Sequence, residues 1–224
     1  MRAASYNIRK AVGLDWRRDP NRIVDVLAEI DADIIVLQEA DRRLGTRAGV
    51  LPLDRLQDEL GYVLPDVTER PLSHGWHGNA VLLRNRFKGF QTSKLDLPTV
   101  EPRGAVSIQL QDPAFEIVGA HLGLTPGMRR RQMAALEAHL RTREHPVLLA
   151  GDFNERHAGK LLFQEPSLVI SPGPSFHSAR PAVALDRFVL SPGLIPVRSF
   201  VHNSPLAARA SDHLPVVLDF EIDS

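Results

Sequence analysis

In the stretch VLLAGDFNER (147–156), the apolar run 147–150 leads straight into Gly151, Asp152, Phe153 and Asn154. The run has the length and composition of a buried strand, and the residues that end it place a carboxylate and a carboxamide at its tip. Gly, Asp and Asn are also turn residues, because they tolerate left-handed backbone or hydrogen-bond their own main chain. The motif therefore has to be weighed with its neighbours.

Working outward, the same pattern recurs. DPNRIVDVLAEID (19–31) predicts a helix capped by Asp19, with Pro20 at its first position and Ile23, Val26, Leu27 and Ile30 on one face. DIIVLQ (33–38) follows as a buried strand, and LPLDRLQDELG (51–61) as a second helix with Gly61 at its C-terminal end. GNAVLLRN (78–85), GAVSIQLQ (104–111) and FEIVGAHL (115–122) read as strands, and PGMRRRQMAALEAHLRTR (126–143) as a helix opened by Pro126. PVLLAGD (146–152), LDRFVLS (185–191) and LPVVLDFEI (214–222) complete the pattern. About nine strands and three or four helices, with antiparallel-looking runs in the centre, predict an α+β layered sandwich.

Composition narrows the function classes. A chain of 224 residues with 43% hydrophobic residues has enough apolar material for one large core, and 1–224 is expected to form a single domain. Lys and Arg total 27 against 27 Asp and Glu, so no global field draws the protein to nucleic acid or anionic lipid, and any polyanion contact must be local. The absence of cysteine excludes disulfides, thiolate metal sites and a cysteine nucleophile. No stretch approaches the roughly 18 apolar residues of a spanning helix. The chain reads as soluble and cytoplasmic, with no protein partner implied.

Polar residues gather at the strand ends. Asn7 follows AASY, Glu39 follows IIVLQ, His121 follows FEIVGA, Asp152 and Asn154 follow VLLAG, and Asp212 and His213 precede LPVV. A site built on one rim of a sheet scaffold requires this placement. Carboxylates, carboxamides and imidazoles without a thiolate suit a hard, oxygen-ligated cation such as Mg²⁺ or Mn²⁺.

The motifs YNIR, LQEAD, HGNAVLLRN, AHLG, GDFN, LDRFVLS and SDHLPVV, in this order, resemble the endonuclease/exonuclease/phosphatase superfamily, the pancreatic-deoxyribonuclease-like metal-dependent phosphoesterases. The resemblance covers nearly the whole chain and implies a four-layer sandwich of two packed, mostly antiparallel sheets flanked by helices. It implies Glu39 as the principal metal carboxylate, with Asn7 and Asp212 as further ligands or orienting groups. Asp152 and Asn154 would hold the attacking water and a phosphate oxygen, and His121 would face the leaving group. His213, paired with Asp186, would either accept the water's proton or stabilise phosphate charge, leaving the general base open between Asp152 and the His213–Asp186 pair. Asn79 and Arg103 would contact phosphate.

Three readings follow for the substrate. A divalent-metal phosphodiesterase, acting on nucleic acid or a phospholipid head group, fits every motif. A phosphomonoesterase for a sugar or inositol phosphate is the alternative, and a non-catalytic binding scaffold conflicts with so complete a set of polar residues. The short, neutral chain and its two Trp and two Tyr argue against a tight, processive nuclease. The loops LGTRAGVLP (44–52) and LSHGWHGN (72–79) are expected to shape the pocket, with Trp76 and His77 as contributors. The other histidines, His74, His139, His145, His157, His177 and His202, read mainly as surface or turn residues. The run Arg129, Arg130, Arg131 opposes the helix dipole by about 0.3–1 kcal/mol each and is explained either by a substrate phosphate or by solvent and local acids.

Overall fold

A computed structural model describes residues 1–68, 70–99 and 104–223. The chain begins with β1 (Arg2–Asn7), α1 (Pro20–Ile30), β2 (Ile34–Gln38), α2 (Leu53–Asp58), β3 (Tyr62–Val63) and β4 (Ala80–Arg84). It continues with β5 (Phe90–Asp96), β6 (Gly104–Gln111), β7 (Ala114–His121), α3 (Pro126–Arg141), β8 (Val147–Asp152) and β9 (Leu168–Ile170). It closes with β10 (Asp186–Leu190), β11 (Leu194–Val201), α4 (Ala207–Ala210) and β12 (Val216–Ile222).

The strands form two six-stranded sheets, ordered β11-β12-β1-β2-β4-β3 and β5-β6-β7-β8-β10-β9. In each, one central pair is parallel, β1 with β2 and β7 with β8, and the remaining pairs are antiparallel. A parallel pair needs a crossover, and α1 and α3 supply them. The strands of these pairs are buried almost end to end, which is why they read as continuous apolar runs.

Alternation along the strands then divides the core into three. Ala3, Ile34, Val36, Ile117, Leu148, Ala150 and Phe188 point between the sheets. Their neighbours Ala4, Tyr6, Ile35 and Leu37 point outward beneath α1 and α4. Val118, Ala120, Leu149 and Val189 do the same beneath α3. The result is a helix–sheet–sheet–helix stack of four layers, the α+β layered sandwich of the sequence pattern with the four layers that the family resemblance implies. α1 is capped as expected: Asp19 accepts from the Arg22 amide at 3.2 Å, and Pro20 opens the first turn. Among the described residues no helix is long and apolar enough to cross a membrane.

Among the described residues twelve strands replace the nine or so expected. The four that the sequence reading did not pick out, β3, β5, β9 and β11, are the four sheet edges. An edge strand has one neighbour and a wetter face, so β5 reads FQTSKLD, and β11 carries Pro196 beside a shift in register.

One polar cluster is structural. Glu116 of β7 is buried beneath α3, where it meets Ser107 Oγ, His139 Nε2 at 2.8 Å, His145 Nε2 at 3.2 Å and Arg143 Nε at 3.1 Å. His139 and His145 are therefore half-buried clamps on the last turn of α3 and the loop behind it, a correction to their surface assignment. His74 is corrected likewise: it is buried and accepts from the Leu51 amide at 2.9 Å. Burial opposes charge on Glu116, yet His139, Ser107 and Arg143 outweigh it and hold the carboxyl down at about 2. Its folded pKa lies below the unfolded value, so its stabilisation is full above about pH 5 and fades as pH falls toward 2. Glu116→Gln is expected to lower unfolding free energy by about 1–3 kcal/mol at pH 7. Urea denaturation at pH 7 and pH 3 checks this; the difference from wild type should shrink at pH 3, and equal stability at pH 7 would remove the clamp.

Candidate active site

The site sits on the seam where the two sheets present the same rim. Strand register lines up its first row: His121 of β7 is paired with Asp152 of β8, and Asp152 with Asp186 of β10. β8 approaches β7 so closely here that a Cβ at Gly151 would lie 1.8 Å from the Ala120 carbonyl oxygen. Glycine is needed before Asp152 for that reason, and the first letter of GDFN is steric.

Asp152 is the hub. Its Oδ2 lies 3.4 Å from His121 Nε2 and 3.7 Å from His213 Nε2, and accepts from Asn7 Nδ2 at 3.1 Å. Its Oδ1 accepts from the Asn154 amide at 2.9 Å. His213 in turn places Nδ1 2.8 Å from Asp186 Oδ2, which also accepts from Ser175 Oγ at 2.5 Å. Asn7 and His213 belong to the first sheet's rim, Asp152 and Asp186 to the second. The two carboxylates are 1% and 0% exposed, so these contacts supply what water cannot. Burial alone would lower the His213 pKa, but the Asp186 carboxylate outweighs it and, with Asp152 and Asp212, pushes it up to about 9. The imidazole is cationic at neutral pH.

Among the described residues, Asp152, Asp186 and His213 are the group of three whose ligating atoms lie within 4.8 Å of one another. The hydrogen bond between His213 and Asp186 accounts for that proximity, and a protonated imidazole is no ligand. The hard oxygens fit a divalent cation better. Glu39, following β2 with a φ of +54°, carries Lys10 on its carboxylate, and Asp212 Oδ2 lies 3.4 Å from Arg9 Nε. Asn7, level with Gln38 on the neighbouring strand, turns its amide oxygen to the Arg9 amide at 3.1 Å. A set of carboxylate and carboxamide oxygens already facing positive groups suits Mg²⁺ or Mn²⁺.

The remaining expectations divide. Asn154 adopts a φ of +50° and its side-chain Nδ2 donates to the Leu122 carbonyl at 2.9 Å, while its backbone N–H serves Asp152. Asn79 is fully buried and its Nδ2 donates to the Gly104 and Trp76 carbonyls at 2.9 and 3.3 Å, bracing the 76–79 turn. Arg103 lies outside the described residues. Arg129 turns inward to Glu155, with Nη2 to Oε2 at 2.9 Å, while Arg130 and Arg131 are exposed. Arg129 is thus answered by a local acid, and Arg130 and Arg131 by solvent.

Sequence reading missed the supports. Glu155 ties down the loop after Asp152 through Arg129, and Arg187, 1% exposed, donates to the Glu155 carbonyl at 2.7 Å. The signal for Arg187 was available, since LDRFVL places two charges inside an apolar strand. Ser175 is distant in sequence and carried none.

The fold is shared with solved structures. Protein YbhP of Escherichia coli strain K12, a protein described as uncharacterized, is 25% identical over 88% of this chain and 87% of its own. Danio rerio TDP2, solved with a single-strand DNA product, superposes with a TM-score of 0.74 at 15% identity, covering 99% of this chain and 98% of that one. The human Nocturnin catalytic domain, solved with a bound sulfate anion, superposes at 0.65 with 18% identity over 99% and 94%. The model of the Endonuclease/Exonuclease/phosphatase family matches residues 4–213, and the chain belongs to that family of phosphate-ester hydrolases.

Proposed function

We propose that the protein is a divalent-metal-dependent phosphodiesterase that hydrolyses a phosphate ester by in-line attack of water. One observation carries the reading: a single buried carboxylate, Asp152, lies within 4 Å of two imidazoles and of an amide from the opposite sheet.

The roles follow from protonation. His213 is held cationic by Asp186, so it stabilises charge on the phosphoryl oxygens and is unsuited to accept a proton. Asp152 then takes the proton from water as the water oxygen bonds to phosphorus and the ester bond breaks. Asn7 and the Asn154 amide orient that carboxylate. His121, on the other side of Asp152, donates to the departing oxygen. Glu39, with Asn7 and Asp212 beside it, would hold Mg²⁺ or Mn²⁺, which supplies charge neutralisation at the phosphate.

Three outcomes are expected. Asp152→Asn and His213→Ala should each lower turnover of bis(p-nitrophenyl) phosphate at least ~100-fold in protein that is still folded by circular dichroism at the assay temperature; near-normal turnover in either sinks the assignment, and preference of wild type for p-nitrophenyl phosphate would make the enzyme a phosphomonoesterase.

The pH profile separates the two candidate bases. With His213 acting as a cation, kcat/KM should hold through neutral pH and fall as pH rises through about 9, where the proton is lost. An activity that instead climbs between pH 6 and 7 would make His213 the base.

Metal binding is read without turnover. Saturating Mg²⁺ should raise the melting temperature of wild type, because a ligand that binds only the folded state stabilises it, and Glu39→Gln should lose most of that shift. A shift undiminished in Glu39→Gln places the ion elsewhere.

A further inference from the structure

Beside Glu39 and His121 the rim opens into a cavity of about 210 Å³ walled by the two loops 41–49 and 70–78. Lys10, Arg42, Arg43, Arg47 and Arg70 line it. Against these five cations stand, among the described residues, two carboxylates, Glu39 and Asp41, a local surplus of three in a chain whose charges cancel overall.

Neither carboxylate pairs directly with a guanidinium, and Arg47 acts on Asp41 only through its charge. Glu39 is engaged by Lys10. Asp41 is buried, and its oxygens are taken by backbone amides: His74 N donates at 2.7 Å, with Gly75 and Gly78 alongside. Among the described residues, Arg42, Arg43, Arg47 and Arg70 make no ion pair and no side-chain hydrogen bond.

The walls are built. Asp41 and buried His74 stitch one loop to the other, through the Asp41–His74 bond and the Leu51 amide on His74. Gly49 N donates to Leu72 O at 2.7 Å, and Arg42 N to Ala48 O at 2.9 Å. Arg47 and His77 hold left-handed φ values of +50° and +53°, a cost of about 1–3 kcal/mol each that a free surface loop would relax. Four unpaired forks held on braced loops around one concavity match the geometry by which arginine grips phosphate. One phosphate is already served at Asp152, His121 and His213.

We infer that this cavity binds a second phosphate group of the substrate, so that the natural substrate carries at least two phosphates, one hydrolysed at Asp152 and one gripped by the 42–47 loop and Arg70. The inference rests on the phosphodiesterase reading for the reacting group only; anion capture by the cavity does not.

Isothermal titration calorimetry in EDTA tests it with inorganic pyrophosphate and orthophosphate as probes. Wild type is expected to bind pyrophosphate at least 10-fold tighter than orthophosphate. Arg43→Gln/Arg47→Gln should lose that preference, and Arg130→Gln/Arg131→Gln, which removes equal charge from the exposed face of α3, should keep it. No preference in wild type, preference intact in the first double variant, or equal loss in both overturns the pocket. Hydrolysis of bis(p-nitrophenyl) phosphate is read in parallel: its absence, with the pyrophosphate preference intact, overturns the hydrolase reading and leaves the pocket standing.

Discussion

Polar contacts cross between the sheets at one rim, Asn7 to Asp152 and His213 to Asp186 among them, and the site exists only while the sheets keep their spacing. The spacing is set by the apolar layer between them, where Val36, Ile117, Leu148 and Phe188 interdigitate. Buried carboxylates are costly alone and tolerable only when hydrogen-bonded or paired. Asp152 and Asp186 therefore demand partners from the opposite sheet, and the packing delivers them at 3.1 and 2.8 Å. Scaffold and chemistry share this constraint, because a slip of one sheet over the other would strand both charges.

Backbone strain gathers at the same place. Arg9, Lys10 and Ala11 are three consecutive non-glycine residues with φ of +46°, +58° and +59°, and Glu39, His77 and Asn154 hold similar values at strand ends. Such conformations cost about 1–3 kcal/mol each and persist only where surroundings over-determine them. The bonds that do so are visible: Ile8 N to Gln38 O and Lys10 N to Glu39 O at 3.0 Å pin the first turn against the end of β2. This turn brings Arg9 to Asp212 and Lys10 to Glu39, so the strain positions charge.

What the sequence made legible follows from how each feature is held. All eight interior strands announced themselves, because burial on both faces writes an unbroken apolar run. The edges did not, because solvent decides half of their residues. The site residues stood out as polar groups abutting apolar strands, and Asp186 as a charge within one. The supports were hidden, since Ser175, Glu155 and Asp41 act through bonds to residues distant in sequence or through main-chain amides, which leave no pattern. Asn79 shows the converse: a residue at a telling position whose amide braces a turn. His74 failed for a related reason, as a lone histidine beside glycines looks exposed until a second loop covers it.

Charge is layered from inside to outside. The deepest groups, Asp152 and Asp186, are negative, and His213 lies between them as a cation sustained by both. Further out, Lys10 and Arg9 stand against Glu39 and Asp212, and at the mouth Arg42, Arg43 and Arg70 face solvent with no carboxylate partner among the described residues. A neutral chain cannot attract an anion at long range, since salt screens exposed charges beyond about 8–10 Å. It can still separate its charges, with carboxylates within and guanidiniums at the rim. The equality of 27 basic and 27 acidic residues thus conceals the arrangement, because what distinguishes this surface is where the pairing fails.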